Sequence, residues 1–287
     1  MKYHICMEKI GPFELYTKTP NDIHYGCLYT MEVELPILYS KKRIIRVYLP
    51  ENYDKNRKFP ILFMADGQNI VDKFTSAFGA WSIDVHEHNL IQQGHPSFIV
   101  VGIDCPQNPV HRALEYSFTN IPIETKETGE FNEECLEFES HLLYKYIALE
   151  LLPLLKQYFS ISDRKEDVGA GGSSMGGVFS TSLLTSYPEI FGFGLIFSPG
   201  FFLYSKDKVI KYLDETIPKL DNHRLFLYCG NVGFEERFVD RTYFVYRYFK
   251  KKGFNENNID LVIDSECGHN ERAWSKHFED AIKFWFK

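Results

Sequence analysis

The chain has 287 residues, 44% hydrophobic and 25% charged, enough material for a sizeable core in one large domain or two small ones. A formal net charge of −7 gives no electrostatic footprint for nucleic acid, and the short run Lys250-Lys251-Lys252 reads as a solvated helix end. No apolar run suits a membrane span or an N-terminal signal peptide, and the six cysteines (Cys6, Cys27, Cys105, Cys135, Cys229, Cys267) lack C-x-x-C spacing, so the expectation is a cytoplasmic protein with free thiols and no membrane partner.

In chain order, β-branched apolar runs predict strands at 31–35 and 43–49, with Tyr39-Ser40-Lys41-Lys42 near the turn of an antiparallel hairpin. Further strands are predicted at 60–65, 97–103, 168–170, 191–197, 224–229 and 260–263. Helical periodicity appears at 81–93, 138–159, 178–186, 237–252 and 271–286; in the second of these, Leu142, Leu143, Tyr146, Ile147, Leu151, Leu154 and Leu155 return at three- and four-residue steps. Strands alternating with helices predict an α/β fold, a mostly parallel sheet covered on both faces and preceded by the antiparallel hairpin. No linker or repeat divides the chain, so one domain spanning 1–287 is expected. The irregular stretch from Cys105 to about Glu134 follows a strand and is expected to be a lid or pocket wall.

The stretch Ala170-Gly171-Gly172-Ser173-Ser174-Met175-Gly176-Gly177 admits one frame of G-x-S-x-G, which places Ser174 at its centre. In that motif the serine occupies a strained strand-to-helix turn, and glycines two places either side prevent a clash. The short strand before it and the helical pattern after it supply that context, although Val168-Gly169-Ala170-Gly171 is weak in β propensity. A serine hydroxyl needs a base, and the chain order for this motif is serine, acid, histidine. His269, in the loop after the last strand, is the predicted base, whereas His277 lies in the final helix beside Trp274 and Phe278 and is read as structural. The acid should follow the penultimate strand, where Glu235, Glu236 and Asp240 are all candidates. One oxyanion donor should be the Met175 N–H, the other an amide from Asp66-Gly67-Gln68.

These residues carry a family resemblance. Arg46-Val47-Tyr48-Leu49-Pro50, the run from Pro60 to Asn69, Gly172 to Gly177, Tyr187 to Gly192, Phe197-Ser198-Pro199 and Gly268 to Trp274 stand in an order that resembles the esterase D and enterobactin-esterase-like branch of the α/β-hydrolases. The resemblance implies an α/β-hydrolase fold with Ser174 as nucleophile, His269 as base and the N–H groups of Gln68 and Met175 as oxyanion donors. It favours Glu236 as the acid, three positions after Gly233, with Glu235 as the alternative; the pattern departs from the family's near Gly230. Substrates narrow to small esters, acylated sugars among them, hydrolysed through an acyl-enzyme without a cofactor. An acyltransferase or thioester hydrolase on the same residues, and a non-catalytic binding protein on a hydrolase fold, are the alternatives.

Elsewhere, Val85-His86-Glu87-His88 suggests a metal pair only superficially, because residues two apart on a helix face different ways. No metal is expected. Arg112 and Glu115-Tyr116 either line the pocket or form an ion pair at the surface or within their own loop. The acyl group, the alcohol and the oligomeric state are not specified by any of these motifs.

Overall fold

The computed structural model describes residues 6–17, 23–71, 73–76, 79–119, 121–123 and 138–287. Among the described residues ten strands are formed: β1 (Lys9–Ile10), β2 (Phe13–Leu15), β3 (Cys27–Glu34), β4 (Lys42–Leu49), β5 (Ile61–Ala65), β6 (Ile99–Ile103), β7 (Val168–Ser173), β8 (Phe193–Phe197), β9 (Arg224–Gly230) and β10 (Ile259–Asp264). The helices are α1 (Ile83–Gln92), α2 (Pro109–Tyr116), α3 (Ser140–Tyr146), α4 (Leu152–Tyr158), α5 (Met175–Ser186), α6 (Lys206–Thr216), α7 (Glu236–Lys251), α8 (Glu271–Lys276) and α9 (Phe278–Trp285).

The strands build one sheet in the order β1-β2-β3-β4-β6-β5-β7-β8-β9-β10. From β6 to β10 every pairing is parallel, and β1 to β4 form an antiparallel meander that joins β6 antiparallel. This is the predicted α/β-hydrolase arrangement, with the expected hairpin present as β3–β4 in the register Thr30↔Arg46. The central strands are apolar at successive positions because both faces are covered. Ile61, Phe63 and Ala65 of β5 join the core beneath α3, α4, α5 and α7, whereas Leu62 and Met64 join that beneath α1, α8 and α9. Val168–Ser173 is buried throughout despite its small residues. A Cβ at Gly171 would lie 2.6 Å from the Met64 sulfur, so close packing against β5 overrides low β propensity here.

The predicted helix over 138–159 is α3 and α4 joined by a π-helical turn, Ile147–Leu151. Pro153 has no N–H to donate, and the wider turn lies just ahead of it. Likewise the final helix divides into α8 and α9 at His277.

Two expectations change. Cys6 and Cys27 are paired in a disulfide, whereas free thiols were expected throughout; strand pairing in the N-terminal meander brings their Cα atoms to 6.0 Å, which spacing alone did not reveal. The argument from free thiols to a cytoplasmic location therefore no longer covers this pair. Within the expected lid, 109–116 is the packed helix α2, whose Leu114, Glu115 and Tyr116 are buried, and residues 120 and 124–134 of that stretch lie outside the described residues. Among the described residues, no helix is long and apolar enough to cross a membrane.

Candidate active site

β7 delivers its last residue, Ser173, directly into a turn at Ser174, and α5 begins at Met175. Ser174 has φ 60° and ψ −122°, a left-handed backbone that only a sharply constrained non-glycine residue adopts. The constraint is visible. Its N–H donates to Phe197 O at 3.0 Å, and its carbonyl accepts from the Gly177 and Gly200 amides, each at 3.0 Å. The glycine requirement is equally direct, since a Cβ at Gly172 would lie 2.7 Å from Gly176 O. Ser174 remains partly exposed between buried neighbours.

His269 lies in the loop between β10 and α8, with its side chain 16% exposed. Its Nδ1 is hydrogen-bonded to Glu235 Oε2. The other carboxylate oxygen of Glu235 accepts from the Ser198 hydroxyl, and from the Gly230 N–H at 3.0 Å. Trp274 Nε1 in turn donates to Ser198 Oγ at 2.9 Å. Burial would raise the Glu235 pKa, but the hydrogen bonds from His269, Ser198 and Gly230 outweigh it and hold the group below the usual carboxylate value. The imidazole is enclosed by aromatic rings: Phe238 is stacked at 4.4 Å between centroids, and Trp274 is edge-on at 4.9 Å.

The acid choice made from the resemblance is corrected by this geometry. Glu236 is exposed as the first residue of α7, and it is the fully buried Glu235 that meets His269. A single 3-10 turn, Gly233–Glu235, precedes α7 and carries the Glu235 side chain inward beneath the loop, while Glu236 begins the outer turn. Asp240 is also exposed and pairs with Lys206 at 3.3 Å.

On the opposite flank, β5 runs into Asp66, which is left-handed (φ 55°, ψ 53°), and then into the 3-10 turn Gly67–Asn69. The Gln68 side chain is held by Cys105, whose N–H donates to Gln68 Oε1 and whose sulfur accepts from Gln68 Nε2, both at 3.1 Å. Burial first, then the Asp66 carboxylate, pushes the Cys105 thiol up to about 12, so it stays neutral in this role. Within the turn the bonded amides are those of Asn69 and Ile70, so the Gln68 N–H precedes them; the Met175 N–H is the first of α5, where no intrahelical acceptor exists. The flanks converge. A Cβ on Gly176 would be 3.4 Å from Asp66 Oδ2, and Asn69 Nδ2 donates to Glu271 Oε1, two residues beyond His269, at 2.9 Å.

Arg112 and Tyr116 of α2 reach this flank, and the ion pairs formed here are neither at the surface nor within the loop. Arg112 pairs with Asp66 rather than within its own loop, and Glu115 pairs with the buried Arg43 of β4. Beside Gln68 opens a cavity of about 1090 Å³, lined among others by Tyr39, Ser40, Lys41, Lys42, Asn108 and His111. Its lining mixes apolar surface with basic side chains and the carboxylates of Glu32 and Asp104, and Gln68 is its link to the oxyanion flank, since Ser174 and His269 do not line it.

The remaining histidines have other tasks. His277 Nε2 bonds Asp264 Oδ2 at 2.8 Å and its ring stacks on Tyr228, as a structural role requires. Asp264, Cys267 and His277 offer ligand atoms within 4.8 Å of one another, but Lys276 Nζ already lies 2.8 Å from Asp264 Oδ2 and supplies the positive charge. His86 and His88 diverge, the first to Glu279 and Ser275 and the second to Glu51.

A sheet of this topology, with a strained serine at the end of β7 and a buried acid–histidine pair beyond β9 and β10, is an α/β-hydrolase fold. Residues 39–207 match the family model described as "Putative esterase", and the chain belongs to that family of carboxylic ester hydrolases. A curated relative, "Uncharacterized protein YbbA" of Bacillus subtilis (strain 168), is 24% identical over 250 residues, which span 84% of this chain and 92% of that protein. Among solved structures, the chain is similar to a mutant of the feruloyl esterase module from Clostridium thermocellum complexed with sinapinate (TM-score 0.67, 14% identity, 100% of this chain and 96% of that one). It is also similar to the ferric enterobactin esterase from Salmonella typhimurium (TM-score 0.66, 18% identity), matching 90% of this chain but 57% of that longer one. At these identities the structural likeness concerns the fold.

Proposed function

We propose that the protein is a serine carboxylesterase in which Ser174, His269 and Glu235 form the triad. The observation that carries the reading is the buried Glu235 carboxylate hydrogen-bonded to His269 Nδ1, on the sheet edge where Ser174 stands in its left-handed turn. With Nδ1 committed as a donor to Glu235, Nε2 of the neutral ring is left to accept a proton.

In the first half-reaction His269 takes the proton of Ser174 Oγ as that oxygen adds to the ester carbonyl. The amides of Gln68 and Met175 stabilise the oxyanion, and Glu235 stabilises the imidazolium. Collapse breaks the carbonyl–alkoxy bond, and His269 returns its proton to the departing alcohol. Water, deprotonated by His269, adds to the acyl-enzyme; collapse expels Ser174 Oγ, which recovers the proton, and releases the carboxylic acid. No step calls for a cofactor or metal.

The hydroxyl, amide and charged groups of Ser40, Asn108, Lys41 and Lys42 in the cavity beside Gln68 support a small ester with a hydroxyl-rich portion, acylated sugars among them. Feruloyl and enterobactin substrates belong to the similar structures and are not carried over to this one. Hydrolysis of p-nitrophenyl acetate and butyrate tests the reading. Turnover by the wild type that is lost in a folded Ser174→Ala variant is expected; equal turnover by both would refute it. Product analysis with added sugar or alcohol separates hydrolysis from acyl transfer, and an acylated acceptor as the main product would replace the esterase by a transferase.

A further inference from the structure

Asp66 is an aspartate in a left-handed conformation, 6% exposed, placed between the last residue of β5 and the amide assigned to the oxyanion. Left-handed backbone costs a non-glycine residue of order 1 kcal/mol or more unless its surroundings fix it. Here they fix it from one element. Arg112 of α2 grips the carboxylate with both prongs, Nε to Oδ1 and the terminal nitrogen to Oδ2, each at 2.8 Å. Tyr116, one helical turn later, accepts the Asp66 N–H on its hydroxyl at 3.0 Å. The Arg112 guanidinium also lies over the Tyr116 ring, 5.1 Å from its centroid, so one ring orients both contacts.

We propose that Arg112 and Tyr116 are positioning residues for the oxyanion hole, acting through Asp66 on the Gln68 amide; this rests on the esterase reading above. The path is short. Asp66 is two residues before Gln68, and Gly67 between them is wedged against β6, where a Cβ would come within 2.5 Å of the Gly102 carbonyl carbon. The far side of Gln68 is fixed by Cys105 through its side chain, so rotation about Asp66 is the remaining freedom of the donor. Transition-state donors act through placement, and errors below 1 Å are costly. A carboxylate held by two parallel bonds and its own amide cannot rotate without breaking all three.

A buried ion pair also serves fold stability alone, and the test separates the two roles. Tyr116→Phe removes the acceptor but keeps the ring beneath Arg112, and Arg112→Lys keeps the charge but loses the two-pronged grip. With p-nitrophenyl butyrate, kcat should fall about 10- to 100-fold while KM stays within about two-fold, since the donor acts on the transition state. The Ki of a boronic acid that mimics the tetrahedral intermediate should rise in parallel with kcat/KM. Loss of activity in proportion to loss of folded protein, unfolding of both variants, or unchanged kcat in folded variants would each overturn the inference. Ser174→Ala is the control for the reading beneath it. If that variant is inactive while Tyr116→Phe and Arg112→Lys turn over normally, the positioning role alone fails; if the wild type neither turns over nor labels at Ser174, the esterase reading itself fails.

Discussion

Glu235 and Glu236 are neighbours in sequence and differ in everything that matters for chemistry. The first is fully buried and accepts bonds from His269, Ser198 and Gly230, while the second is exposed at the start of α7. Glu235→Gln should therefore lower kcat by about 10³- to 10⁴-fold, since the amide cannot stabilise the imidazolium, whereas Glu236→Gln should stay within about two-fold of wild type. Steady-state kinetics of the two variants decide the assignment. The depressed Glu235 pKa also makes a stability statement. Its contribution is complete above the ordinary carboxylate range and disappears as pH falls through the lowered folded value. The difference in Tm between wild type and Glu235→Gln should accordingly shrink on acidification, and a constant difference down to acid pH would contradict it. At this scale the strained turn at Ser174 and the loop position of His269 were legible, because a motif and a chain order select them. The acid was not, because counting from a glycine cannot see a 3-10 turn that carries one side chain inward and leaves the next outside.

Individual elements explain which local signals sufficed. The strands β5, β6, β8 and β9 were recognisable as apolar runs because two-sided burial removes polar positions from the pattern. The strands β1 and β2, of two and three residues, are too short to give a period, and α2 begins at a proline inside a stretch that reads as irregular. Helix α6 carries six charged residues in eleven and was also missed, although Val209, Tyr212, Leu213 and Thr216 form a buried stripe at three- and four-residue steps. The glycines of β7 looked like evidence against a strand and are instead a packing requirement. Gly172→Ala would place a Cβ 2.7 Å from Gly176 O, across the turn that holds Ser174. Its expected cost is about 1–3 kcal/mol of stability together with loss of esterase activity, read by denaturant unfolding and p-nitrophenyl ester turnover. Wild-type activity in a stable variant would mean that the turn relaxes around the added methyl group.

Across the whole molecule, the meander and the catalytic half of the sheet divide the work. Cys6 and Cys27 join the N-terminal segment to β3, away from β7, β9 and β10, where the residues of the proposed triad originate. Reduction of that bond should lower the Tm, by an amount corresponding to at most about 3 kcal/mol for a closure of this length, and leave kcat/KM unchanged. Loss of activity on reduction, with the fold intact, would show coupling between the meander and the site. Fold class and single-sheet architecture were readable from the order of motifs. What the sequence concealed were long-range pairings such as Asp66–Arg112 and Asn69–Glu271, whose partners lie 46 and 202 residues apart. The most direct test of the account is labelling with a fluorophosphonate followed by peptide mapping. The account predicts one adduct per chain, on Ser174, absent from a folded Ser174→Ala variant. A folded wild type that stays unlabelled, or an adduct on another residue, would contradict it.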